Sequence, residues 1–234
     1  MCGIFGGPEF TVYERLYTEN KKRGKFAYGS LYTTCNGRDG HREIYIRKRS
    51  GIVCLTGDYA FSGDYNMFLG HTQAPTSNQR DFSPITSHPF DDSHYIVAHN
   101  GIVENYKQLV DEYIPDHINP VDSSIIPALI GTMYEFGNKK PINETKTPEV
   151  LAIERACSLL KGTFGCWIYS KLTGCTYLAR CGSTLYGNVL KGMFSSIRIP
   201  DICESSLDEG TIYCVTGEGL TECGHFQVNS PFFL

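Results

Sequence analysis

The second residue of the chain, Cys2 in Met1-Cys2-Gly3-Ile4-Phe5-Gly6, draws its chemistry from its position. An initiator methionine is normally removed when the next residue is small, and removal leaves Cys2 with both a thiol and a free α-amine. A thiol with a pKa of about 8.5 is mostly protonated at neutral pH and needs a base to activate it. An α-amine titrates at roughly 7.7–8.0, well below a lysine, so it is partly neutral and able to take the thiol proton, directly or through one water. One residue then supplies nucleophile and base. The glycines that follow let the chain enter a strand tightly and leave room for a substrate to approach. Taken alone, the tripeptide Met-Cys-Gly is also an arbitrary start, so its weight rests on the residues beyond it.

Bulk properties narrow the field. The chain has 234 residues, 41% apolar and 20% charged, values ordinary for a soluble globular protein. We expect one domain over residues 1–234, because the polar stretch GNKKPINETKTP is too short, and too closely flanked by helices, to separate two. A net charge of −4 disfavours nucleic acid as a direct partner. No apolar run approaches a membrane span and the N-terminus lacks the layout of a secretory signal, so the expected location is cytoplasmic. There are ten cysteines. Cys157, Cys166, Cys175 and Cys181 are spaced too loosely for a zinc ribbon, and the chain is neither short nor visibly secreted, as a disulfide scaffold would be. Apart from Cys2, most are expected to be buried small hydrophobes.

The elements that must position Cys2 follow from periodicity. FTVYERLYTENKKRG reads as a helix with Phe10, Tyr13, Leu16 and Tyr17 on one face and Gly24 past its end. FAYGSLYTT and REIYIRKR read as strands split by the turn-rich CNGRDGH, and MFLGHTQ and HYIVAHN as buried strands. ENYKQLVDEY and VDSSIIPALIGTMYEFG are helical, the second with Asp122 or Ser123 as N-cap. Thr147 caps, and Pro148 opens, the helix PEVLAIERACSLLKG. TFGCWIYS, CTYLARC, GMFSSIRI, TIYCVT and a short segment near HFQV complete a strand-rich second half. Antiparallel-looking runs with helices grouped between them make an α+β layered fold.

The motifs MCGIFG, RGKFAYG, GHTQAPT, HPF with VAHNGIVENY, and VDSS follow one another in the order found in glutaminase domains of class II glutamine amidotransferases. The chain resembles that family, most nearly the glutaminase half of glucosamine-phosphate synthases, and the resemblance continues through GTFGCWIYS, TYLARCGSTL and LDEGTIYCVT. It implies an N-terminal-nucleophile hydrolase fold, a four-layer αββα sandwich of two antiparallel sheets. It further implies that Cys2 attacks the glutamine carboxamide to give a thioester and ammonia, without metal or cofactor. By the same resemblance the Asn100 side chain and the Gly101 N–H stabilise the oxyanion, Asp122 pairs with the substrate α-ammonium, and Arg23 orders the nucleophile. Without the family context, Asn100-Gly101 reads as a hairpin turn, Asp122 as a helix cap and Arg23 as a helix C-terminal cation.

The substrate loop departs from the family pattern. Where relatives carry His-Thr-Arg-Trp-Ala-Thr, this chain has His71-Thr72-Gln73-Ala74-Pro75-Thr76. The missing arginine is the one that holds the glutamine α-carboxylate, and Gln73 hydrogen-bonds a carboxylate without pairing charge. Either Arg80 or Arg23 takes that role, or the substrate is a different γ-glutamyl amide. Thr76 still fits as a substrate-loop hydroxyl. Ala74 stands in place of a tryptophan that lines the ammonia route, and Phe26 in RGKFAYG replaces an acid. His71, His88 and His99 are expected to hold structure, since the mechanism needs no imidazole. The chain ends just past the glutaminase portion, so the expected partner is a separate ammonia-accepting synthase or transferase. Two alternatives are a stand-alone γ-glutamyl amide hydrolase and a decayed domain kept as a binding subunit.

Overall fold

The computed structural model describes residues 2–35, 42–55, 65–74, 81–137 and 146–229. Thr76, Arg80 and all of CNGRDGH beyond Cys35 lie outside the described residues, as does most of the GNKKPINETKTP stretch. Within them the chain forms two sheets whose ladders are all antiparallel. The first has seven strands in the order β11-β9-β10-β1-β4-β2-β3 and the second six in the order β13-β12-β8-β7-β6-β5. In sequence these are β1 Gly3–Gly7, β2 Ala27–Cys35, β3 Arg42–Ser50, β4 Tyr65–Gln73, β5 Phe90–Asp91, β6 Tyr95–Val103, β7 Gly162–Ser170, β8 Thr176–Cys181, β9 Tyr186–Asn188, β10 Met193–Ser195, β11 Ser205–Ser206, β12 Thr211–Thr216 and β13 Gly219–His225. Helix α1 is Phe10–Asn20, α2 Tyr106–Tyr113, α3 Ile125–Gly137 and α4 Pro148–Leu159, with a 3-10 turn at Asp122–Ser124 before α3.

Side-chain alternation separates three hydrophobic layers. On β7, Phe164, Cys166 and Ile168 face α2, α3 and α4. The intervening Trp167 and Tyr169 face the other sheet, where they meet Ile4, Leu31, Leu69 and Phe194. On the far side of the first sheet, Phe5, Tyr28, Tyr32 and Phe68 pack against Tyr13, Leu16 and Tyr17 of α1. The order is therefore helix, sheet, sheet, helices: the four-layer sandwich of α+β class expected from the sequence. The indole N–H of the fully buried Trp167 donates to the Gly70 carbonyl at 3.0 Å, linking β7 to β4 across the central layer. The outermost strand, β3, is mostly exposed and carries Arg42, Lys48 and Arg49, charge that discourages edge-to-edge pairing.

Several boundaries differ from the sequence reading. Helix α1 stops at Asn20, whose side chain turns inward to the Leu16 carbonyl and Ser195, so Lys21–Arg23 form a turn. Neither Asp122 nor Ser123 caps α3 through its side chain; the Asp122 carboxylate instead accepts the backbone N–H of Val103 at 2.9 Å. GMFSSIRI is a strand only over Met193–Ser195, because Ser196 turns its backbone to Arg23 and β1. The last strand is Gly219–His225, ahead of HFQV, with a bulge opposite Ile212 and Tyr213 that irregular periodicity had hidden.

The Thr147 cap forms as expected, its Oγ1 accepting from Val150 N at 3.3 Å. Two substitutions then rank the forces that hold the fold. Thr147→Ala is expected to cost about 1 kcal/mol, the usual value of a lost N-cap. Ile4→Ala, in the inter-sheet layer at 0% exposure, is expected to cost about 2–5 kcal/mol. Denaturant midpoints of the two variants measure this, and equal losses would show that inter-sheet packing is not the stronger of the two forces.

Candidate functional site

Cys2 precedes the central strand of the first sheet. Strand β1 pairs with β4 on one side, Gly3 opposite Thr72, and with β10 on the other, Phe5 opposite Ser195. Ser196 extends that clamp: its N–H donates to the Ile4 carbonyl at 2.8 Å and its Oγ accepts the Ile4 N–H at 3.0 Å. Cys2 shares the parity of Ile4, which faces the second sheet, so alternation places the thiol at the end of the inter-sheet layer. Asn100 arrives from the opposite side. Along β6, Ile96 and Ala98 belong to that same layer and Asn100 continues it, while Tyr95, Val97 and His99 turn toward the helices.

The two sheets meet in a cavity of ≈ 740 Å³ whose walls include Cys2, Arg23, Ala74, Asn100, Gly101 and Arg198. The Cys2 thiol lies 4.0 Å from the Ala74 carbonyl. The Asn100 carbonyl accepts the Ser183 hydroxyl at 2.9 Å, whereas its side-chain amide makes no hydrogen bond among the described residues. Gly101 has φ of +147°, and a Cβ there would fall 1.9 Å from the Thr163 carbonyl oxygen, so only glycine fits this turn of the wall. Arg23 donates to Thr184 Oγ1 at 2.9 Å and to the Ser196 carbonyl at 2.6 Å. Burial lowers its guanidinium from the ordinary arginine value, with the neighbouring Cys2 and Tyr186 opposing the shift. Gly24 lets this segment lie flush on the loop, since a Cβ would meet the Gln73 carbonyl carbon at 2.3 Å.

The structure thus brings together Cys2, Asn100, Gly101 and Arg23. Gln73 is buried on β4, with its Oε1 unpartnered among the described residues, and does not line the cavity. Asp122 is also outside the lining. Its carboxylate takes the Val103 N–H and the Ser123 hydroxyl, anchoring β6 two residues beyond Gly101. Arg198, Tyr186 and Thr184 on the cavity wall were not singled out by motif, and only their place in the strand-rich second half was visible. Of the eight other described cysteines, Cys157, Cys166, Cys181 and Cys203 are buried, half rather than the expected majority. Cys175, Cys214 and Cys223 are half-buried and Cys54 is exposed. A hydrogen bond with Cys214 pulls the Cys175 thiol down to about 6. Among the described residues no group of His, Cys, Asp or Glu is placed to hold a metal ion, and no helix is long and apolar enough to cross a membrane.

The histidines line the interior behind this site. His71 of β4 stacks on His88 at 4.0 Å between ring centroids, and His88 lies 6.4 Å from His99 of β6. His99 Nδ1 meets Ser123 Oγ at 2.8 Å. Burial drives His99 below the usual histidine range, with Asp122 and the Thr163 carbonyl opposing. His99 is therefore neutral in the fold, while the unfolded chain takes up its proton near pH 6.5, roughly. In that window the unfolded state binds more protons, so stability rises with pH and is lost as pH falls below about 6.5. The melting temperature is expected to drop between about pH 7.5 and pH 5, and less steeply in His99→Asn. Equal slopes for the two proteins would show that His99 does not set this pH dependence.

No family model matches the chain. It is 30% identical over 169 residues to a glutamine–fructose-6-phosphate aminotransferase (isomerizing) of Oceanobacillus iheyensis, a match covering 70% of this chain and 26% of that one. A protein of the same name from Listeria innocua is 30% identical over 190 residues, covering 79% and 30%. The chain thus spans less than a third of the length of these relatives. In three dimensions it matches an allosteric regulatory enzyme of purine biosynthesis with a TM-score of 0.71 at 16% identity, over 97% of this chain and 50% of that one. The glutamine phosphoribosylpyrophosphate amidotransferase of B. subtilis gives 0.66 at 15% identity, over 95% and 49%. The structural matches bear on the fold, and the sequence matches extend over most of the chain. The chain belongs to the class II glutamine amidotransferases, as a glutaminase-type domain of N-terminal-nucleophile architecture.

Proposed function

We propose that the protein hydrolyses the side-chain amide of glutamine through a Cys2 thioester and delivers ammonia to a separate acceptor enzyme. The observation that carries this reading is the convergence of Cys2 from one sheet and Asn100-Gly101 from the other on one cavity wall. With Met1 removed, the Cys2 α-amine takes the thiol proton and the thiolate attacks the carboxamide carbon. Negative charge develops on the carboxamide oxygen, where the Asn100 amide and the Gly101 N–H supply hydrogen bonds. Collapse expels ammonia, protonated from the α-amine, and leaves a γ-glutamyl thioester. Water then attacks the thioester by the same route and releases glutamate. The Arg23 cation beside Cys2 favours the thiolate over the thiol.

Cys2→Ala is expected to abolish turnover. Asn100→Ala is expected to lower kcat by roughly 10²–10³, equivalent to about 2.7–4 kcal/mol, with a smaller change in KM. A glutamine analogue with an electrophilic carbon at the amide position should label Cys2 alone, as read by peptide mapping. A small unselective alkylator is a poor substitute, because the exposed Cys54 competes for it. Exclusive labelling of Cys175 by the glutamine analogue, with Cys2 untouched, would overturn the assignment.

The acceptor part of the proposal rests on economy, since free ammonia from an uncoupled site only wastes glutamine. Ala74, on the cavity wall, leaves the ammonia exit without the bulk of a tryptophan, and the partner supplies that cover. Basal glutaminase activity is expected to be low and to rise when a co-purifying acceptor enzyme and its substrate are added. High turnover with glutamine alone, unchanged by any such protein, would favour the stand-alone hydrolase.

A further inference from the structure

The charge on the cavity wall exceeds what the reaction at Cys2 requires. Among the described lining residues two are cations, Arg23 and Arg198, and none is an acid. A concave site with one sign of charge concentrates its field on whatever enters. The amide carbon that Cys2 attacks is neutral, so the second cation serves another part of the substrate, one that is anionic. The two arginines are not equivalent for that task. Arg23 is half-buried, committed to Thr184 and Ser196, and held against Cys2. Arg198 is exposed, lines both this cavity and a neighbouring groove that holds Glu14, Glu19 and Asp201, and forms no ion pair among the described residues.

The backbone that carries Arg198 is fixed on both sides. The Ile197 N–H donates to Ser195 Oγ at 3.0 Å, and Ser196 grips Ile4 through its N–H and its hydroxyl. On the other flank, Ile199 is 6% exposed and exchanges backbone hydrogen bonds with Cys203, at 3.0 and 2.9 Å. Ser196 therefore stands two residues from the cation and holds a residue two from the nucleophile. The stem of Arg198 and the Cys2 thiol are tied to one sheet, which sets their separation without help from the substrate loop. Gln73 adds no charge, being neutral, buried and outside the lining. A guanidinium offers a planar fork of donors that matches a carboxylate in bidentate fashion.

We propose that Arg198 binds the carboxylate of the amide substrate, so that the site selects amides bearing an anionic group. The inference rests on the glutaminase reading for the identity of the substrate, and it assigns the part of that substrate which Arg198 recognises. Arg198 is a specificity residue, and its loss acts on binding rather than on the chemical step.

The test is calorimetric titration of the Cys2→Ala protein, which cannot turn ligands over, with L-glutamine and with L-glutaminamide, whose α-carboxylate is replaced by a neutral amide. Adding Arg198→Ala is expected to weaken L-glutamine by roughly ten- to a hundredfold, the range for a lost charge-assisted hydrogen bond. Arg198→Lys is expected to recover part of that loss, as a point charge without the fork. L-Glutaminamide is expected to bind weakly and equally to all three proteins. In the enzyme with Cys2 intact, Arg198→Ala should raise KM for glutamine and leave kcat within about twofold. Unchanged L-glutamine affinity in Arg198→Ala, or equal weakening of both ligands, overturns the inference. Hydrolysis of glutamine by the intact enzyme without any dependence on Arg198 overturns it while leaving the glutaminase reading standing. Carboxylate-dependent binding through Arg198 with no hydrolysis by the intact enzyme does the reverse. Failure of L-glutamine to bind the Cys2→Ala protein at millimolar concentration overturns both.

Discussion

The molecule depends on the burial of its own N-terminal strand. Chain ends fray unless something ties them down, and a residue that lines the cavity from position 2 tolerates no fraying. Strand β1 meets the demand by lying inside the seven-stranded sheet, with β4 and β10 paired along its two edges. Ile4 and Phe5 are fully buried on opposite faces, one against the second sheet and one against α1. Both neighbours of β1 come from distant parts of the chain, so Cys2 reaches its position only after residues near 70 and near 195 have found theirs. The site cannot exist in a partly assembled sandwich.

That dependence explains what the sequence disclosed and what it withheld. That Cys2 lines the cavity was legible because the chemistry open to it follows from its position in the chain. That Asn100 and Gly101 share its cavity wall was legible through their motif and the alternation of β6. The Thr147–Pro148 helix start was legible because a cap is local, requiring only residues three apart. The buried stripe of α1 and the opposite faces of β7 likewise follow from period alone.

Non-local contacts were not legible. Nothing in the spacing of FSSIRI announces that Ser196 ends the strand by turning to β1 and Arg23, and the consequence is the placement of Arg198. Asp122 read both as a helix cap and as a partner for the substrate ammonium; what the spacing did not announce is that the 3-10 turn brings its carboxylate to the Val103 N–H, anchoring the end of β6. Strands of two or three residues, such as β5, β9 and β11, carry too few alternations to be read. The shuffled strand order of the first sheet is set by inter-sheet packing, which no window of sequence contains.

Trp167 is the only tryptophan in the chain, and it sits wholly buried in the central layer with its N–H on the Gly70 carbonyl of the facing sheet. The protein therefore carries a built-in optical gauge of contact between its two sheets. Indole emission responds to the polarity around the ring, so its wavelength records whether water has entered between β7 and β4. Loosening of the outer helices with the sheets still closed leaves that emission in place. A circular-dichroism transition that precedes the fluorescence transition on heating would then separate loss of the helical layer from the opening that destroys the site.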